Sequence, residues 1–251
     1  MGFAIALEDR PGFYTPPACE NIAVIRLGKD FLLELIEPAE SNRWLDVFEH
    51  ISKSSAIKVL VIINCREKIG SEQYIHFCRQ TIRNEADRTS IHRMCNIFDQ
   101  LIQTIVSLDK LVIYADCGEI IPLFLNIGLA CDHRIVSDHT TFQKPYFKLG
   151  ILPKGGAAFF LCRLLGYGKA KQLLMSRKAI SASEAFEIGI VDQVVPHDKL
   201  EQTAIETAQD WTQPSTGALL RIKRLLNYTT KDLEDYLKFE SEELLKAISV
   251  S

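Results

Sequence analysis

An α/β domain is the fold class this sequence predicts, and three observations carry the prediction. Short continuous apolar runs such as Val59-Leu60-Val61-Ile62-Ile63 alternate with longer segments of helical period, the pattern of buried parallel strands joined by helices. A chain of 251 residues can bury one full-sized core. No internal repeat and no linker-like composition shift divides it.

The elements follow in order. Ile22 to Leu27 is a β-rich run, and Phe31 to Ile36 reads as a second one after the Gly28-Lys29-Asp30 turn signal, so an opening hairpin is expected. Trp44, Leu45, Phe48 and Ile51 recur at helical spacing between about 39 and 54, ahead of the Val59 strand. After a polar stretch from Asn64 to Ser71, Ile91, Cys95, Phe98, Ile102 and Ile105 mark the longest amphipathic helix. Leu111 to Tyr114 is another buried strand, Gly118 a turn, and Pro122 suits the first turn of a helix running toward Ala130. Arg134 to Val136 and Thr141-Phe142 are short strands. The helix after Gly155-Gly156 runs to Leu165, where Gly166 can cap it. Ser181 and Glu184 form a capping-box pattern that opens a helix ending before Gly189. Helices over about 197–211, 215–227 and 231–247 close the chain.

A net charge of −3 and a pI near 6.1 exclude a nucleic-acid surface, because phosphate binding needs clustered Lys and Arg in excess of local acids. Seven cysteines, odd in number and never spaced as C-x-x-C, indicate neither a zinc cluster nor a disulfide framework, and are expected to be reduced, packed thiols. No run reaches the roughly 18 apolar residues of a membrane span, and Met1 to Pro17 does not have a leader pattern, so a cytoplasmic location is expected.

Ala130-Cys131-Asp132-His133-Arg134-Ile135-Val136-Ser137, then Thr141-Phe142, Pro145, Leu149-Gly150-Ile151-Leu152-Pro153 and Gly155-Gly156, resemble the crotonase (enoyl-CoA hydratase/isomerase) superfamily. Leu164-Leu165-Gly166, Ile180-Ser181-Ala182, Glu184-Ala185, Ile188-Gly189-Ile190-Val191 and Val194-Val195-Pro196 continue the match in family order, so it is strong over about 109–228. The resemblance implies a crotonase (ClpP-like) α/β fold of repeated ββα units. By that resemblance, residues 1–195 are expected to form the core and 196–251 a C-terminal helical trimerisation region of the same domain, truncated relative to the family. It also implies an acyl-CoA ligand, with coenzyme A as part of the substrate and no permanently bound cofactor, and a homotrimer or dimer of trimers. Most of the matching residues shape turns and helix ends, and a fold signature does not by itself establish chemistry.

The family holds the thioester oxygen with two backbone N–H groups, which stabilise the enolate. One donor segment here reads Gly118-Glu119-Ile120-Ile121-Pro122-Leu123-Phe124, where the family has glycines at 122–124. The Leu123 N–H would still point from a helix N-terminus, but the Leu123 and Phe124 side chains are expected to fill space that glycine leaves open. The other donor segment runs from Cys65 to Gln73, with Gly70 and Ser71 as the nearest donors. Of the two glutamates that family hydratases use, the first falls on Asn126 and the second on Tyr146. An amide does not titrate near neutral pH and a free phenol loses its proton only near pH ~10, so two-glutamate hydration is not expected. Lys154, in the loop where some family branches place a reactive residue, and Tyr146 are the catalytic candidates, against a reading as a solvated lysine beside a packed tyrosine. Glu72, Asp116 and Glu119 are further acids near the site, and Glu119 is either a base or a partner for a neighbouring cation. His76 and His92 lie on helical stretches and are expected to be surface or satisfied residues.

Overall fold

The computed structural model describes residues 13–14, 20–64, 68–83, 88–213 and 216–250. Strands β1 (Phe13–Tyr14), β2 (Ile22–Arg26), β3 (Val59–Asn64), β4 (Leu111–Asp116), β6 (His133–Ser137) and β9 (Gln193–Val195) form one sheet in the order β1-β2-β3-β4-β6-β9. Only β1 runs antiparallel to its neighbour; the other pairings are parallel. A second, three-stranded sheet joins β5 (Glu119–Ile120), β7 (Thr141–Phe142) and β8 (Ile180–Ser181).

Strand alternation sends the two faces of the large sheet into separate cores. Ala23, Ile25, Leu60, Ile62, Val112 and Tyr114 face the larger cluster, whereas Ile22, Val24, Val59, Val61, Leu111 and Ile113 pack with Leu200, Ala204 and Ala208 of helix α10 (Leu200–Trp211). The strands are buried on both sides, which is why they read as unbroken apolar runs.

Phe31–Ile36 is helix α1, not the second arm of a hairpin, and β2 pairs instead with β3. A strand would put Phe31, Leu33 and Leu35 on one face, yet Phe31 and Leu35 are each 1% exposed and Leu33 is 49% exposed. Burial at i and i+4 is a helical face, and it packs on the long helix α4 (Arg88–Ser107) and on α2 (Pro38–Lys53). Short apolar runs leave helix and strand undecided, and here tertiary packing decides. The remaining expected elements are present: α3 (Ser71–Arg83) precedes α4, α5 is Pro122–Ala130, α6 is Tyr146–Leu149, and α7 (Ala157–Leu165) ends at Gly166. After α8 (Tyr167–Met175), the Ser181 and Glu184 capping box opens α9 (Ala182–Glu187), and α11 (Thr216–Asn227) and α12 (Leu233–Val250) follow α10. No described helix is long and apolar enough to cross a membrane.

The expectation of uniformly reduced thiols is overturned at Cys117, which is disulfide-bonded, while Cys78, Cys95, Cys131 and Cys162 are free. A pairing set by the fold need follow no C-x-x-C spacing, so the sequence carried no sign of it. Cys19 and Cys65 lie outside the described residues.

Helix α5 is buried nearly all round and crosses close to the sheet at Gly128. A Cβ there would come within 2.9 Å of Tyr114 Cδ1, on a ring whose hydroxyl donates to Asp116 at 2.6 Å and so cannot swing away. Gly128→Ala gains about 0.5–1 kcal/mol of helix propensity but overpacks at a cost of about 1–3 kcal/mol. The expected net result is a loss on the order of 1 kcal/mol, read as a lower urea midpoint at unchanged slope.

Candidate active site

Helix α5 carries Pro122, Leu125 and Asn126 on one face, at i, i+3 and i+4. These three, with Tyr146 at the start of α6 and Ala157 and Leu173, line a cavity of about 20 Å³. That is room for about one water molecule. Asn126 and Tyr146, assigned from sequence to the two acid positions, are thus brought onto one cavity. Asn126 is fully buried; its Nδ2 donates to the Lys154 carbonyl at 2.7 Å, while its Oδ1 has no hydrogen-bond partner. The Tyr146 hydroxyl donates to the Leu174 carbonyl at 3.2 Å, and burial pushes its pKa up to about 12. Neither group exchanges a proton with water near neutrality. Lys144 also lines this space and donates to the Leu173 carbonyl at 2.7 Å, with burial lowering its pKa. Sequence reasoning missed it, although its place between the Thr141-Phe142 strand and Pro145 marked the segment.

Leu123 and Phe124 do not narrow this cavity. They lie on the opposite face of α5, in the larger core, where the Phe124 ring sits 6.2 Å from that of Phe31. The helical period turns positions 123, 124 and 127 one way and 122, 125 and 126 the other, so Pro122 and Leu125 do the narrowing. The first bond closing α5 is Leu125 N–H to Ile121 O at 3.0 Å, which leaves the Leu123 and Phe124 amides as unpaired helix-end donors.

Gly70 and Ser71 stand at the start of α3, and the Ser71 N–H is already used: it donates to Glu119 Oε2 at 2.7 Å. Asp116 is fully buried at the end of β4, where it accepts from Tyr114, from Asn64 Nδ2 at 3.1 Å and from the Cys117 N–H at 2.7 Å, and pairs with Lys68. Burial raises its pKa against the pull of Lys68. Saturated in this way, Asp116 is a structural acid that ties β3 to β4. Glu72 pairs with Lys148 at 3.2 Å on the surface, and His76 and His92 are exposed on α3 and α4.

Lys154 is buried but does not line the cavity. Its ammonium pairs with Asp99 of α4 and, at 3.3 Å, with Glu240 of α12. Glu240 also accepts the Gly155 N–H at 2.7 Å and the Gly156 N–H at 3.1 Å, and Asp99 accepts from Ser241 Oγ at 3.0 Å. Gly155 and Gly156 adopt φ of 109° and 86°, and a Cβ on Gly155 would lie 3.2 Å from Asn126 Nδ2, so glycine is required by both conformation and space. Lys154 is thus not the solvated lysine of the alternative reading: its side chain anchors a buried ion cluster because two carboxylates there need a cation. Asp99 and Glu240 were invisible from sequence, lying 55 and 86 positions from Lys154. Among the motif residues, Asp132 accepts the Val112 N–H at 2.7 Å and pairs with Lys223 of α11 at 2.8 Å, and Arg134 pairs with Asp192 at 2.7 Å, which pins strand edges.

Burial raises the pKa of both Asp99 and Glu240, with Lys154 acting in the opposite direction. A carboxyl raised in the fold stabilises below its unfolded pKa and loses that contribution as pH rises through its folded value. In Glu240→Gln, one of the two acids no longer has to ionise. The variant's stability relative to the parent is expected to improve steadily from acidic to neutral pH, as followed by paired urea titrations; a pH-independent difference would contradict this.

The chain matches the enoyl-CoA hydratase/isomerase family over residues 19–250. It is 38% identical over 136 residues to a short-chain-enoyl-CoA hydratase of Clostridium acetobutylicum, a match covering 54% of this chain and 52% of that protein, so the chain spans about half of that relative's length. With a crotonyl-CoA hydratase of Syntrophomonas wolfei it shares 28% identity over 178 residues, 71% of this chain and 64% of that one. The crystal structure of an enoyl-CoA hydratase from Mycobacterium avium subsp. paratuberculosis superposes with a TM-score of 0.76 at 19% identity, covering 95% of this chain and 94% of that one. With a family match over nearly the whole sequence and the same fold throughout, the chain belongs to the enoyl-CoA hydratase/isomerase family of the crotonase superfamily.

Proposed function

We propose that this protein binds an acyl-CoA thioester, with coenzyme A as part of the ligand, and does not hydrate it by the two-carboxylate route. One observation carries the reading: the cavity holding Asn126 and Tyr146 has about 20 Å³ of space and offers no group that titrates in the carboxylate range. General acid–base work needs a donor and an acceptor with pKa values near the working pH, and an amide beside a phenol pushed up to about 12 supplies neither. The apolar lining from Leu125, Leu173 and Leu174 suits an acyl chain once these side chains part.

A scaffold role in an assembly of like subunits, a homotrimer or dimer of trimers in the cytoplasm, is the second reading. It is favoured by exposed Ile222, Leu225 and Leu226 on α11 and by the adjoining Tyr228, an apolar strip of the kind that marks contact surfaces.

Calorimetry with acetyl-CoA and a longer acyl-CoA, paired with a spectrophotometric assay on crotonyl-CoA, tests the first reading. Heat of binding without loss of the enoyl absorbance is expected; rapid water addition would overturn it. Should slow turnover of another kind be found, Tyr146→Phe is expected to leave its rate within about twofold, because the hydroxyl is engaged with Leu174. Lys154→Ala, by stranding two buried carboxylates, is expected to lower stability by about 3–5 kcal/mol, seen in thermal unfolding. A Tyr146→Phe rate reduced about a hundredfold would restore the phenol as a catalytic group.

A further inference from the structure

The contact between Glu119 and Ser71 is built from both sides. On one side, β5 holds the Glu119 backbone in the small sheet, where Thr141 N–H donates to Gly118 O at 3.0 Å and Gln143 N–H to Ile120 O at 2.8 Å. On the other, the Ser71 N–H is one of the first-turn donors of a 13-residue helix, which has no intrahelical acceptor for it. Between them Gly70 has no side chain, and a Cβ there would come within 2.9 Å of the same Glu119 oxygen. The carboxylate reaches across 48 positions of sequence into a gap that a glycine keeps open. Lys68, the cation beside Gly118, is engaged with Asp116.

We propose that Glu119 is a specificity-determining residue at the start of α3: its carboxylate holds the Ser71 N–H that an acyl oxygen would otherwise accept, so a thioester carbonyl is held there only by displacing it. This rests on the acyl-thioester reading for the identity of the natural ligand. The charge on Glu119 acts in two ways. A carbonyl oxygen arriving at Ser71 competes with an ionised acceptor, and hydrogen bonds to ionised groups are the stronger kind. An enolate forming there would gather negative charge beside a carboxylate, the reverse of what a preorganised oxyanion site supplies. Glu119 is solvent-exposed, so swinging its side chain into water strands no buried charge, and the contact can be exchanged.

The test uses the Ser71 amide as a local reporter by ¹⁵N-resolved NMR of the full chain, with the remaining resonances confirming that each variant is folded. In Glu119→Gln, whose neutral amide oxygen is a weaker acceptor than a carboxylate, the Ser71 amide proton should sit upfield of its parental position. In Glu119→Ala, added acetate should carry the Ser71 amide back toward its parental position, while acetate leaves the parent unchanged. A Ser71 amide that holds the same position in parent and Glu119→Gln, or that ignores acetate in Glu119→Ala, overturns the proposal whatever happens with CoA esters. Acetyl-CoA calorimetry then separates the two ideas. Binding to Glu119→Ala tighter than to the parent by about tenfold supports both. Equal binding by the two overturns the proposal alone. No binding by either, with the acetate effect intact, sinks the acyl-CoA reading and leaves Glu119 as the occupant of a site for some other carboxylate or carbonyl.

Discussion

Glu240 reaches back from the last helix to the Gly155 and Gly156 amides, and the geometry of the candidate site depends on that grip. The carboxylate sets a loop of two glycines in a left-handed conformation closed to other residues. The loop presents the Lys154 carbonyl inward, and that carbonyl fixes the Asn126 amide on the cavity wall. Lys154 sends its ammonium the other way, to Asp99 and Glu240, so that three charges are buried together instead of singly. Removing Lys154 would strand two carboxylates, and the cost of an uncompensated buried charge far exceeds that of an exposed pair. The most distant part of the sequence thereby sets the shape of the pocket.

Around that anchor the cavity wall has been made apolar and tight. Pro122 and Leu125 fill it from α5, Tyr146 and Lys144 are turned to backbone carbonyls, and the polar atom of this wall left without a partner is Asn126 Oδ1. A buried acceptor of this kind is costly when dry, and the cavity beside it has room for a single water. The polar groups that do carry charge near the donor segments are bound to one another: Asp116 to Lys68, Tyr114 and Asn64, and Glu119 to Ser71. The charged groups of the region are thus answered from within the chain, as is the Ser71 donor, while the Leu123 and Phe124 amides stay open at the start of α5.

Much of this was legible in the sequence because it is local. Buried strands appear as apolar runs, the Ser181 box announces a helix start, and positions 126 and 146 can be counted from Asp132 and Pro145. What was not legible is nonlocal or directional. Phe31 to Ile36 is too short for its period to speak, and only packing on α4 makes it helical. Leu123 and Phe124 are large on sight, but which side of α5 they take depends on where the cavity lies. The acids that claim Lys154 sit on helices whose own sequences give no reason to single them out, and the bond at Cys117 leaves no spacing signal.

Fold and chemistry separate cleanly here because different atoms carry them. Asp132, Arg134 and the glycines at helix ends act on backbone groups at strand and helix edges, where they need only the architecture. Positions 126 and 146 act on whatever fills the pocket, so they can change while the edges stay. The change is not undone by one side chain. A carboxylate at position 126 would lose the N–H that now satisfies the Lys154 carbonyl, and would face that carbonyl oxygen at close range in a space fit for one water. It would lie within reach of a loop already gripped by the ionised or proton-sharing Glu240, with Lys154 committed on the far side. Burial and a facing oxygen both favour the protonated acid, which cannot draw a proton from water. Position 126 is therefore coupled to the wall, the loop and the anchor, and a carboxylate placed there acts as a base only if all three change with it.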